Sequence, residues 1–238
     1  MKLEFCKPSL DAINPIAALV SIIEDKQHYY EPKGIWVDVL QNSFGIICDE
    51  LGIAGDPRSV CLSFLKEFPG EDSTAAKTDS TKTDKFQITM ALENPSRMML
   101  SFCHEMIHVS DLVKGYLIRA EGKDEMTYKG KKLNPKIAML SGMANLDAEI
   151  MPYERAAYSG QGPLMLKVLE KLPPEQTAWL EKTYKEDLKP PTLQAYIQSQ
   201  VNDYAKKLNV MEQQFLKAKR DGDINPLFAQ FNNINEIG

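Results

Sequence analysis

The sequence predicts an α+β fold, and three observations carry that reading. Apolar residues recur at helical spacing over 35–52, 95–114 and 193–218. Two shorter runs rich in β-branched and aromatic residues, RSVCLSFLKEF at 58–68 and KFQITMALE at 85–93, have the length and composition of strands. A third β-like stretch, YLIRAEGKDEMTYKGKKL at 116–133, contains a glycine turn and reads as a hairpin that follows the middle helix.

Taken in order, 16–24 and 35–52 are expected to be helices, with Gly52 stopping the second. The strand at 58–68 comes next. PGEDSTAAKTDSTKTD at 69–84 is polar and has no period, so it reads as an exposed loop with nothing catalytic inside it. After the strand at 85–93, Asn94 is placed to cap a helix and Pro95 to occupy its first position. That helix should run to about Lys114, with Gly115 as its C-terminal glycine. A further helix opens at Pro152, and GQGP at 160–163 is expected to break it before LMLKVLEKL resumes. Paired prolines at 173–174 and 190–191 mark a change of organisation, which divides the chain at 172 into a main domain, 1–172, and a helical extension, 173–238. In the extension Leu193, Ile197, Val201, Tyr204, Leu208, Met211, Phe215 and Ala218 describe a long amphipathic helix ended by Gly222. Packing on its own domain is the first expectation for it, and a homo-oligomer through 192–221 the second.

Composition narrows the function classes. A chain of 238 residues, 43% hydrophobic, can bury a sizeable core. A net charge of -5 and a pI near 5.4 argue against nucleic acid or an anionic membrane surface as a partner. The four cysteines, Cys6, Cys48, Cys61 and Cys103, form no C-x-x-C pair, so four reduced thiols in a cytoplasmic protein are expected. The N-terminus has no continuous apolar stretch of signal-peptide type, and IAALVSII at 16–23 is too short to span a bilayer, so the chain reads as soluble and not secreted.

The stretch that carries chemistry is FCHEMIH at 102–108. The chain has three histidines, and two of them stand four positions apart here. Residues at that spacing lie about 40° apart around a helix axis, so His104 and His108 project toward one point and can share a metal ion. Composition alone would produce H-E-x-x-H in on the order of one chain in a hundred of this length, so context decides. Here the polar members Ser101, His104, Glu105, His108 and Asp111 form one stripe on a predicted helix that is apolar on its other sides. One zinc ion suits two neutral imidazoles and leaves a position for water. Glu105 is angularly offset from the histidines, which suits it to act as general base on that water, with peptide-bond hydrolysis as the commonest use of the pattern.

A catalytic zinc site needs a third protein ligand. His28 lies in a turn-like segment. Asp111 is better suited to orient a ligand imidazole than to bind directly. Glu154, in MPYERAAY, stands at the start of a helix whose Ala156 and Ala157 would permit close approach; Asp147 and Glu149 are fallback donors. Tyr128, Tyr153 and Tyr158 are candidates to stabilise an oxyanion, or simply rings packed beside the site.

The order CHEMIH, then TYKGKKL, then MPYERAAY resembles the small zincin-like metallopeptidases of tailed bacteriophages and prophages, over roughly 95–160. In those proteins H-E-x-x-H lies on a helix, a hairpin with a W-x-G element follows, and a P-W-E-x-E-A type helix supplies the presumed third ligand. Tyr128 and Tyr153 stand where the family has tryptophan, and Arg155-Ala156 blurs the second acidic position. The resemblance implies a zincin-like domain with its active-site helix on a small, mostly antiparallel sheet. It implies Glu154 as third zinc ligand, Glu105 as catalytic base and a peptide or protein as substrate, or else a metal-binding, virion-associated module without turnover.

Overall fold

A computed structural model describes residues 1–6, 33–65, 76–82, 84–119, 126–133, 151–185 and 192–221. The helix expected at 16–24, and His28, Asp147 and Glu149, lie outside the described residues. Within them the chain mixes helix and strand, as an α+β fold requires. In chain order the elements are β1 (Lys2–Phe5), α1 (Ile35–Glu50), β2 (Ser59–Leu65), β3 (Ala76–Lys82), β4 (Lys85–Ala91), α2 (Pro95–Val113), β5 (Leu117–Arg119), β6 (Met126–Tyr128), β7 (Lys131–Leu133), α3 (Pro152–Lys171), α4 (Pro174–Lys185) and α5 (Leu193–Asp221).

The larger sheet has the order β1-β2-β4-β3. It is not mostly antiparallel: β1 pairs parallel with β2 and β2 parallel with β4, while only β3 runs antiparallel to β4 at the edge. Two physical causes produce this. The segment from β1 to β2 includes α1 and is long enough for a crossover, which parallel pairing needs. The short connection from β3 to β4 permits only a hairpin, so β3 must be antiparallel to the strand it precedes. Every residue of β2 is buried, as expected for a central strand covered on both faces. The buried hydroxyl of Ser63 is not wasted there, since it lies 3.3 Å from the Ile88 carbonyl and 3.0 Å from Thr89 Oγ1.

Two further expectations fail in this sheet. The polar run at 69–84 is not loop throughout, because 76–82 forms β3. Thr78 there pairs with Ile88 across the ladder, so alternation within a polar edge strand passed for aperiodicity. Nor are all four thiols reduced. Cys6 follows β1, its N–H donates to the Leu62 carbonyl at 2.9 Å, and its sulfur is bonded to that of Cys61, with Cα atoms 5.7 Å apart. A separation of 55 residues hid the pair, which strand pairing alone brings together. Cys48 and Cys103 are free and buried, and burial pushes both thiols far up, Cys48 to about 12.

The middle helix begins and ends as the sequence dictates. Asn94 Oδ1 accepts from the Ser96 N–H at 3.0 Å, and Pro95 opens the first turn without an amide to leave orphaned. At the other end Gly115 takes φ +68, letting its N–H reach the Leu112 carbonyl while that of Tyr116 reaches Asp111, so the last carbonyls are satisfied. Met98, Met99, Phe102, Cys103, Met106 and Val109 enter the core with Phe64 and Ile88 of the sheet. Leu180 and Tyr184 of α4 and Leu193 and Ile197 of α5 belong to the same core, so the C-terminal helices pack on the rest of the chain.

The stretch after α2 forms three short antiparallel strands rather than two, ordered β5-β6-β7, because Lys129 (φ 47) and Gly130 (φ 77) turn what reads as one strand into β6 and β7. The break expected at 160–163 is likewise absent: α3 runs unbroken from Pro152 to Lys171, through Gly160, Gly162 and Pro163. Each glycine costs roughly 1 kcal/mol of helix propensity and the proline about 3, so tertiary packing must hold this segment helical. Pro163 and Ser159 are both exposed, which puts the carbonyl that loses its bond on the solvent side. The glycines face neighbouring helices: a Cβ on Gly160 would meet Ile107 Cδ1 at 2.8 Å, and one on Gly162 would meet Val201 Cγ2 at 2.4 Å. Close approach, not chain reversal, explains them.

Among the described residues no helix is long and apolar enough to cross a membrane.

Candidate metal centre

The polar stripe of α2 is buried, not solvated. His104 is 8% exposed, Glu105 6%, His108 7% and Asp111 7%, an unusual density of ionisable groups for one interior helix face. Such groups are retained inside only when something satisfies them. The partner comes from α3. Pro152 sets its first turn, Glu154 follows within that turn, and the buried Ala157 lies against the neighbouring structure without bulk.

Helical spacing then does what geometry requires. His104 Nε2 and His108 Nε2 lie 3.1 Å apart, and Glu154 Oε2 lies 3.2 Å from the first and 3.4 Å from the second. Three ligand atoms thus form a nearly equilateral triangle. Donors bound at about 2.05 Å to a tetrahedral ion stand about 3.3 Å apart, so the triangle has the size such an ion needs. The tautomer also fits. His104 Nδ1 lies 3.1 Å from Gln161 Oε1, an acceptor, a contact that suits the tautomer with its proton on Nδ1 and its lone pair on Nε2, as a metal ligand needs. His104, His108 and Glu154 are therefore a buried group able to hold a metal ion.

The electrostatics agree in sign. Burial works against a charged His108, yet the hydrogen bond and charge of Glu154, with Glu105 and Asp111 near, hold its imidazole above the ordinary histidine value. Burial raises Glu154 as well, but its contacts with His104 and His108 prevail and keep the carboxyl well below the usual range. Each shift thus reflects the opposite charge of its neighbour across the site.

Glu105 stays out of the triangle. Its Oε2 accepts a 2.6 Å hydrogen bond from Thr78 Oγ1 on β3, and the same hydroxyl lies 3.4 Å from the Glu105 carbonyl. Asp111 is paired with Tyr128: burial raises its carboxyl, and the Tyr128 hydroxyl donates to it. That engages Tyr128, whose phenol is itself pushed up by burial and by Asp111. Asp111 Oδ2 and His108 Nδ1 are both buried without a hydrogen-bond partner among the described residues, so no direct Asp111 to His108 bond is made. Tyr158 packs edge-on to His104 with ring centres 4.5 Å apart, and Tyr153 to His108 at 5.7 Å.

Neither Thr78 nor Gln161 stands out in the amino-acid sequence. Thr78 lies in a polar run that reads as loop, and Gln161 between two glycines that read as a helix break. For Gln161 the available signal was a polar residue between two glycines; for Thr78, between Lys77 and Asp79, the sequence carries none.

No protein-family model matches the chain, nor does any curated protein or solved structure.

Proposed function

We propose that this protein is a zinc-dependent hydrolase of peptide bonds, with a zincin-like domain around α2. The observation that carries the reading is the donor triangle of His104, His108 and Glu154 with a fourth buried ionisable side chain, Glu105, beside it and outside it. Two imidazoles and one carboxylate suit zinc, and three protein ligands leave a coordination position open.

A bound zinc ion supplies Lewis acidity and brings the pKa of water down toward about 7. The rest is work for the chain. Glu105, buried and held by Thr78, is placed to take a proton from the attacking water and pass it to the leaving amine nitrogen. Tyr153 and Tyr158, each against a ligand imidazole, limit the space around the reacting carbonyl and shield it from bulk water.

A peptide is favoured as substrate by the neighbour that touches Glu105. β3 is an edge strand, and a sheet edge offers N–H and C=O groups to an extended chain. A peptide added there would run past Glu105.

The test has two parts. Purified protein should retain about one zinc per chain and cleave an unfolded protein substrate, while Glu105→Gln should keep the zinc and lose turnover. Retained zinc with no cleavage of broad peptide libraries would instead favour a binding or virion-associated module. Absence of metal uptake would end both readings.

A further inference from the structure

We infer that Gln161 is a positioning residue of the metal centre, aimed by a clamp in which Gly160 and Gly162 wedge α3 between α2 and α5. The inference rests on the metal reading above and adds the C-terminal helix to it.

Positions two apart on a helix point about 200° from each other, so Gly160 and Gly162 address different neighbours. Gly160 meets Ile107 of α2, within one residue of His108. Gly162 is buried against Val201 and Ile197 of α5. At Gly162 a Cβ would run into the stiff, β-branched Val201, whereas at Gly160 it would meet only the movable end of Ile107, so the Gly162 contact does most to fix the rotation of the residue between them. That residue is Gln161, whose Oε1 lies 3.1 Å from His104 Nδ1.

The chemistry of that contact is specific. An acceptor at Nδ1 selects the tautomer with Nδ1–H and leaves the lone pair on Nε2, the nitrogen that faces Glu154 and His108. On its other side Gln161 borders a cavity of about 280 Å³ between α3 and α5, lined also by Tyr158, Gln200 and Tyr204. Gln161 and Tyr158, both in contact with His104, therefore also line that cavity. A substitution that only deleted the side chain could admit water as a substitute acceptor, so the informative change fills the space without an acceptor.

The experiment measures zinc affinity by competition with a chromogenic chelator, which needs no turnover. Gln161→Leu should weaken binding about 10- to 100-fold, whereas Gln161→Glu, which keeps an acceptor, should stay within about threefold of wild type. Gly162→Ala should weaken binding in the same direction, and Val201→Ala added to it should restore affinity by removing the clashing methyl. Imidazole N–H spectra of the metal-free protein give a second readout, simple in a chain with three histidines. The downfield Nδ1–H signal of His104 should be present in wild type and absent in Gln161→Leu. Equal zinc affinity in wild type and Gln161→Leu, with the N–H signal unchanged, would overturn the positioning role. An unaffected Gly162→Ala would overturn the clamp. Failure of the wild-type chain to take up zinc would remove the metal reading, and this inference with it, a result distinct from either.

Discussion

Thr78 Oγ1 donates to Glu105 Oε2 at 2.6 Å, joining the antiparallel edge strand of the sheet to the buried carboxylate of α2. A carboxylate 6% exposed needs such a donor, because a buried charge without one is costly. Removing only the hydroxyl should therefore separate the placement of the base from the packing of the strand.

Thr78→Val keeps the shape and loses the donor. A hydrogen bond to a charged group contributes about 1.5–3 kcal/mol, so turnover on the hydrolase reading should fall roughly 10- to 100-fold with zinc content unchanged. Thr78→Ser should recover most of it. Steady-state rates on an unfolded protein substrate, beside metal analysis of each variant, check this; full activity in Thr78→Val would show that Glu105 is positioned by something else.

Glu154 is expected to be the ligand that the two histidines cannot replace. Glu154→Ala should weaken zinc binding by at least about 100-fold, beyond the range seen for residues that only orient a ligand. It also removes the carboxylate that holds His108 above its ordinary value, so the imidazole of the metal-free variant should titrate lower than in wild type. Histidine titration by NMR reads this second effect directly, and an unmoved His108 would contradict the geometry described.

Metal should also stabilise the fold. A ligand that binds only the native state adds about 2.7 kcal/mol at a free concentration 100 times its Kd and about 4.1 at 1,000 times. Because the donors come from α2 and α3, which pack on one another, thermal unfolding should shift upward with zinc and downward with chelator. Scanning calorimetry with and without chelator measures it. A melting temperature indifferent to both would count against His104, His108 and Glu154 as a resident metal site.

How much of this was legible in the sequence follows from the range of each interaction. The helix carrying His104 and His108 was readable from end to end, because Asn94, Pro95 and Gly115 act on their own neighbours and the histidine spacing is a property of one helix. Glu154 could be offered as a candidate from its place at the start of a helix followed by Ala156 and Ala157, and the resemblance singled it out, because its partners are 50 and 46 positions away by the numbering. What stayed hidden depends on partners that no local pattern names. β3 is defined by its pairing with β4, Cys6 finds Cys61 through parallel strand pairing, and the stretch from Gly160 to Pro163, the poorest helix former in α3, is helical where Gly160 lies against Ile107 and Gly162 against Val201. The mixed sheet had the same origin. Strand direction is set by crossover geometry, which composition does not encode.

Acid sensitivity should trace in part to Glu50, at the C-terminal end of α1. Its carboxylate is hydrogen-bonded by Lys167 and Lys171, one turn apart on α3, and those contacts bring its pKa from 4.5 down to about 2. The sign follows from linkage: a carboxyl more acidic when folded stabilises the native state above its unfolded value and loses that contribution as pH falls through the folded one. Glu50→Gln should thus lower the urea midpoint near neutral pH, and the gap to wild type should close between about pH 4.5 and 2. Added salt should narrow the gap at neutral pH, because both lysines are more than half exposed. Midpoints at pH 6, 4 and 2.5 for the two proteins decide it, and a gap of constant size across that range would mean that these lysines do not bind Glu50 in solution. Since α3 also carries Glu154 and Gln161, the same variant read by zinc affinity at neutral pH would show whether the α1 contact helps hold α3 against α2.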